Sequence, residues 1–138
     1  MAYKSFEELD CWKASRDVKG FVREITAKLP SEEKYDLSDN MRRAARSATR
    51  NIAEGFGRFG YQDKIRFCLI SRGSLFEVID DLITCKEEEY ISSVQYVKGR
   101  ELCDKAIALI NGYINYLESA KANFEATTKT HSDKSNNV

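Results

Sequence analysis

Five arginines, Arg42, Arg43, Arg46, Arg50 and Arg58, fall on one short stretch of the chain, opposed there only by Asp39 and Glu54. If that stretch is helical, with Met41 as origin and ~100° per residue, Arg42, Arg46, Arg50 and Arg43 lie between roughly 100° and 200°, on the outer side. Arg42, Arg46 and Arg50, spaced i, i+4 and i+8, form one expected stripe about 12 Å long. A guanidinium offers a planar fork of donors that fits phosphate or carboxylate oxygens in pairs. Two readings follow. In one, the stripe meets nucleic-acid phosphates, with Lys64 and Arg66 extending it. In the other, it meets carboxylates of a neighbouring helix or subunit. Lys+Arg and Asp+Glu both number 22, so no overall excess of positive charge favours the first.

Other chemistry fares worse. The single histidine, His131, lies in a polar tail, so a di-iron centre built on two Glu-x-x-His units is excluded, and so is haem ligation through histidine. Cys11, Cys68, Cys85 and Cys103 are widely spaced, without a C-x-x-C pair, and read as buried free thiols rather than a zinc site. Cys68 has Lys64, Arg66 and Arg72 near it in sequence, but no general base to make it a nucleophile. Gly55-Phe56-Gly57-Arg58-Phe59-Gly60 has the look of a phosphate loop, yet follows a helix and ends without Gly-Lys-Ser/Thr. It reads as a helix end and a turn. Glu77, Asp80 and Asp81, at i, i+3 and i+4, read as a solvated acidic face or as partners for arginines. No cofactor, metal, catalytic residue or small-molecule substrate is expected.

The elements that must carry these residues are helices. Gly and Pro together are 8 of 138 residues, too few turn formers for a chain of many short strands. Four amphipathic segments are predicted: about Ser5 to Lys28, Ser38 to Gly57, Gln62 to Glu89, and Ser92 or Ser93 to Ala122. Ser5 is the expected cap of the first, and Pro30 ends it. The predicted core lines are Phe6, Leu9, Trp12, Val18, Phe21, Val22, Ile25 and Leu29; Met41, Ala44, Ala45, Ala48, Ile52 and Phe56; Ile65, Leu69, Leu75 or Phe76, Ile79, Leu82 and Ile83; and Val94, Val97, Leu102, Ala106, Leu109, Ile110, Tyr113 and Leu117. The second line is mostly alanine, so a neighbour can approach closely. Short connections make this an all-α, antiparallel, up-down-up-down four-helix bundle over residues 1–122. Residues 123–138 are polar and are expected to be a disordered tail. The opening, Met1 to Glu8, brings acids at once and no apolar core, so a cytoplasmic protein with no membrane partner is expected.

Met41-Arg42-Arg43-Ala44-Ala45-Arg46-Ser47 followed by Asn51-Ile52-Ala53-Glu54-Gly55-Phe56-Gly57-Arg58 resembles the signature of the four helix bundle protein family, first noticed as products of intervening sequences within bacterial 23S rRNA genes. Phe67 and Ser71-Arg72-Gly73-Ser74-Leu75 with Glu77 resemble its second motif, and Phe6-Glu7-Glu8-Leu9 with Trp12 its opening. Thr49 stands where the family often has proline. The resemblance implies a ring-shaped homopentamer without enzymatic activity. It also implies kinship with the accessory variability determinant of diversity-generating retroelements, which binds nucleic acid and a reverse transcriptase. Partners implied for this chain are thus further copies of itself, RNA or DNA, and a reverse transcriptase or ribonucleoprotein. Ser47, Asn51, Glu54 and Arg58 fall at roughly 220° to 280°, beside the core sector, where a subunit contact or a buried polar network would sit. Arg72 and Glu77 on the third helix are the candidates to pair with them.

Overall fold

The computed structural model describes the backbone of residues 3–136, and the side chains as far as His131. Four helices form it: α1 (Asp10–Thr26), α2 (Leu37–Phe56), α3 (Tyr61–Glu87) and α4 (Ser93–Asn136). Each packs on the next, and α4 closes back on α1; among the described residues the α1 backbone does not approach α3, nor α2 approach α4. Neighbours run antiparallel throughout: Lys19 meets Thr49, Ser47 meets Ser74, Arg72 meets Asn111 and Phe21 meets Gly99. The expected all-α up-down-up-down bundle is what the chain forms.

The ends of the helices follow local chemistry. Ser5 does cap, but it caps a separate 3-10 turn, Phe6–Glu8, its hydroxyl accepting from the Glu7 amide at 3.2 Å. Leu9 then turns extended (ψ 127°), so α1 begins at Asp10 rather than at Ser5. It stops at Thr26, whose hydroxyl donates back to the Val22 carbonyl at 2.7 Å, four residues before Pro30. At the end of α3, Glu89 takes a left-handed φ of 62° and lets the Tyr90 amide reach the Cys85 carbonyl at 2.8 Å. That closes the helix in the manner usually left to glycine. α4 continues to Asn136, beyond the boundary drawn by composition at residue 122, and residues 122–131 are exposed along it.

The core contains many small residues. Met41, Ala44, Ala45, Ala48 and Ile52 are buried, as the second line predicts. On α3, Cys68, Leu75, Val78 and Cys85 are fully buried, and the Cys85 Sγ lies 3.6 Å from the Met41 Sδ. Leu69, Val94 and Val97, predicted inside, are instead exposed at 42%, 79% and 52%. On α4 the inward line runs through Gly99, Cys103, Ala106, Ile110 and Leu117, and the two valines sit on the opposite face of the helix. Gly99 explains the phase: a Cβ there would lie 2.6 Å from the Phe21 ring and 3.0 Å from Leu82, so α1 and α3 close over bare backbone. Gly55 serves the same purpose between α2 and α3, where a Cβ would lie 2.8 Å from Phe67 Cβ and 3.2 Å from the Lys64 carbonyl oxygen. Among the described residues, no helix is long and apolar enough to cross a membrane.

Candidate nucleic-acid interface

α2 carries its outward arginines along a ridge with a groove on each side. Arg42 and Arg46 lean toward α1, and Arg43 and Arg50 lean toward α3. The predicted Arg42–Arg46–Arg50 stripe is therefore divided. The four arginines span about 100° of the helix, and a neighbouring helix on each side draws them apart.

The α1–α2 groove has a volume of about 460 Å³ and is lined by Arg16, Lys19, Arg23, Arg42 and Arg46, with Gly20, Val22 and Ala45 between them. No carboxylate lines it. Gly20 and Ala45 make its floor shallow in side chain, and no atom lies within 4 Å of where a Gly20 Cβ would be. Three of the cations are tied in place. The Arg42 Nε donates to the Ser38 carbonyl at 3.3 Å. The Lys19 ammonium donates to Thr49 Oγ1 at 3.5 Å, and that hydroxyl donates in turn to the Arg46 carbonyl at 3.1 Å. The Arg16 guanidinium lies 5.0 Å from the centroid of the Trp12 ring. Among the described residues, ion pairs join Arg43 to Asp39, Arg58 to Glu54, Arg66 to Asp63 and Arg100 to Asp104, and none involves a cation of this groove. Five positive charges converge on a lining that holds no carboxylate; Asp39, bonded to Arg43, acts on Arg42 and Arg46 only from outside it. Such an excess is the arrangement that multiple phosphates neutralise.

The α2–α3 groove, of about 670 Å³, is different in kind. Arg43 and Arg50 line one wall, and Glu77, Asp80 and Asp81 the other, with Phe76 between. Burial, and then the nearby carboxylates of Asp80, Glu77 and Asp36, push the Asp81 carboxyl up to about 6. Arg43 is spoken for by Asp39, 2.6 Å away, and this bond holds the Asp39 carboxyl below its ordinary range. Lys64 and Arg66 do not extend either groove. The Lys64 ammonium caps the end of α2, donating to the Phe56 carbonyl at 2.7 Å, and Arg66 pairs with Asp63 at 3.6 Å on the same helix.

Of the six residues expected in a polar network, Ser47 and Asn51 join one between α2 and α3. Asn51 donates to the Ser47 carbonyl and hydroxyl at 2.8 and 2.9 Å, and the Ser47 and Ser74 hydroxyls meet at 2.8 Å. Ser74 passes the chain of donors on to the Ile70 carbonyl at 3.2 Å, and Ser71 donates across the seam to the Ala48 carbonyl at 2.7 Å. Glu54 and Arg58 lie outside this seam and pair with each other at 2.7 Å. Arg72 and Glu77 do not join it. Arg72 turns to α4, where it donates to Asn111 Oδ1 at 2.8 Å, and Glu77 stands in the α2–α3 groove. Both lie on α3, but the helix presents them to different neighbours.

The four cysteines are free and buried. Burial pushes the Cys68 thiol up to about 11, against the pull of Lys64, so its basic sequence neighbours do not make it a nucleophile. Arg16, Lys19 and Arg23 were not among the residues expected in the interface. Their spacing of three and four, continuing from Trp12, places them on one side of α1, and that signal was available.

Residues 7–112 match the model of the 23S rRNA-intervening sequence protein family, a span that reaches from the first 3-10 turn through α1, α2 and α3 into α4. No curated protein matches the chain at a significant level. The four-helix architecture and a match over more than half of the residues agree: this chain belongs to the 23S rRNA-intervening sequence protein family.

Proposed function

We propose that the protein is a non-enzymatic, oligomeric helical bundle of the cytoplasm that binds RNA or DNA, alone or within a nucleoprotein such as a reverse-transcriptase complex, through the basic groove between α1 and α2. The observation that carries this reading is the convergence of Arg16, Lys19, Arg23, Arg42 and Arg46 on a concave surface that no carboxylate lines. Recognition there is by charge, so it is largely independent of base sequence. The test is a gel-shift titration at low salt. Arg42→Glu with Arg46→Glu abolishes the shift, whereas Arg43→Glu with Arg50→Glu leaves most of it. Absence of a shift by the wild-type protein at micromolar concentration would remove the proposal.

A second reading concerns assembly. Leu69, Ile70 and Phe76 lie exposed on α3, beside the mixed-charge wall of the α2–α3 groove. An outward apolar line flanked by both signs of charge supports contact between copies, and a heterologous contact of this kind closes into a ring when the rotation permits. The homopentamer is proposed on this basis, with Arg43, Arg50, Glu77 and Asp80 at the joint. If the arginines serve only that joint, Arg43→Glu and Arg50→Glu lower the mass seen by native mass spectrometry while the gel shift is absent in every variant.

A further inference from the structure

The turn joining α2 to α3 carries a second kind of surface. Phe59, Tyr61 and Phe124 edge a mostly apolar cleft of about 490 Å³ where the start of α3 passes α4. Phe59 is wholly exposed, Phe124 is 60% exposed, and the Tyr61 and Phe124 rings sit 6.1 Å apart at 57°. Lysines from two elements flank these rings. Lys121 is fixed by a 2.8 Å bond to Gln62, and Lys64 by its bond to the Phe56 carbonyl. Each ammonium has three donors, so each keeps donors free for a further partner. Glu125 is the one carboxylate in the lining. Flat apolar faces beside held cations match a ligand that is itself flat and apolar next to an anion.

We propose that this cleft takes unpaired bases of single-stranded nucleic acid, stacked against Phe59 and Phe124, with the adjoining phosphates near Lys64 and Lys121. The inference rests on the nucleic-acid reading above and narrows its substrate class: the bases of a duplex are already stacked and cannot enter. Base–aromatic stacking of this kind changes affinity by roughly 5- to 100-fold per base and tolerates any base.

The test is fluorescence anisotropy with a labelled oligothymidylate and a labelled blunt-ended, loop-free duplex of equal length, at one salt concentration. The wild-type protein is expected to bind the single strand more tightly. Phe59→Ala and Phe124→Ala each lose about 5-fold or more on the single strand and nothing on the duplex, with the salt dependence unchanged. Phe59→Trp keeps the affinity, and its added emission is quenched by the single strand. If Phe59→Ala and Phe124→Ala bind both ligands as wild type does, while Arg42→Glu with Arg46→Glu loses both, stacking is refuted and the basic groove stands. If wild type binds neither ligand, the nucleic-acid reading itself falls. A drop in native mass on Phe59→Ala would also overturn the proposal, because the cleft would then be a contact between copies.

Discussion

Removing charge from the basic groove should change how binding responds to salt, by an amount that can be worked out beforehand. Arg16, Lys19, Arg23, Arg42 and Arg46 line the groove, and each releases condensed counterions when it neutralises a phosphate. With all five engaged on a single strand, log K against log salt should fall with a slope of about −3.5, and on a duplex about −4.5. Between about 50 and 200 mM salt, the single-strand slope is a loss of roughly 100-fold. Arg42→Gln with Arg46→Gln leaves three cations, a slope of about −2 and a loss of roughly 20-fold over the same range. Glutamine is preferred to glutamate because it removes the charge without adding repulsion. The assay is anisotropy of a labelled oligonucleotide across a salt series, with Arg43→Gln and Arg50→Gln as the control pair on the other side of α2. Equal slopes for the wild type and the Arg42/Arg46 variant would refute the reasoning. So would a slope that flattens only for the Arg43/Arg50 variant, which would place the phosphates in the α2–α3 groove.

Four further outcomes are expected. The Asp81 carboxyl titrates near 6 in the folded protein against an ordinary 3.8, so the unfolded chain gives up its proton first and stability falls as pH rises from about 4 to 6; Asp81→Asn removes that decline and, after allowance for solvent screening, gains about 1 kcal/mol at pH 7 in urea denaturation. A flat wild-type profile would mean that a cation of a second copy already pairs with this carboxylate. Gly55→Ala forces a methyl against Phe67 Cβ and the Lys64 carbonyl, and the overpacking of about 1–3 kcal/mol outweighs the gain in helix propensity, which thermal melting will show as a lower midpoint. Glu89→Gly relieves a left-handed backbone and raises stability by about 0.5–1 kcal/mol in the same assay. Burial pushes Cys68 and Cys85 up to about 11 and Cys11 and Cys103 up to about 12, so a thiol reagent at pH 8 should label none of them until denaturant unfolds the chain.

Periodicity reads well where one side of a helix is apolar. The Met41–Ile52 line of α2 is such a case, and it appears in the structure as the sequence predicts. It misleads where apolar residues lie on two sides, as on α3, where Leu69 faces out and Cys68 in, one residue apart. It also misleads where small residues mark the inside: at the start of α4 the predicted core takes the larger Val94 and Val97 in place of Gly99 and Cys103, whereas Ala106, Ile110 and Leu117 further along are buried as predicted. The candidate site was legible only in part for a related reason. A wheel gives the angle of Arg42 or Arg50 about its own axis, not which neighbour stands at that angle. The split of the arginines between two grooves, and the cations that α1 adds to one of them, depend on the order of the helices around the bundle. Arg72 and Glu77 show the same limit, sharing a helix while answering to different partners.

The hydroxyls between α2 and α3 work as a key. Slid by one turn, Ser47 would face Ile70 or Val78 in place of Ser74, and the Ala48 carbonyl would face Phe67 or Leu75 in place of Ser71. Each polar group stranded against a hydrocarbon in that way costs about 1–3 kcal/mol. An alanine-rich seam alone would tolerate such sliding, because one methyl is much like the next. The Ser47–Ser74 pair, with Asn51 holding Ser47, and the bond from Ser71 to the Ala48 carbonyl remove the ambiguity, and they fix how far the guanidinium ridge stands from the aromatic turn.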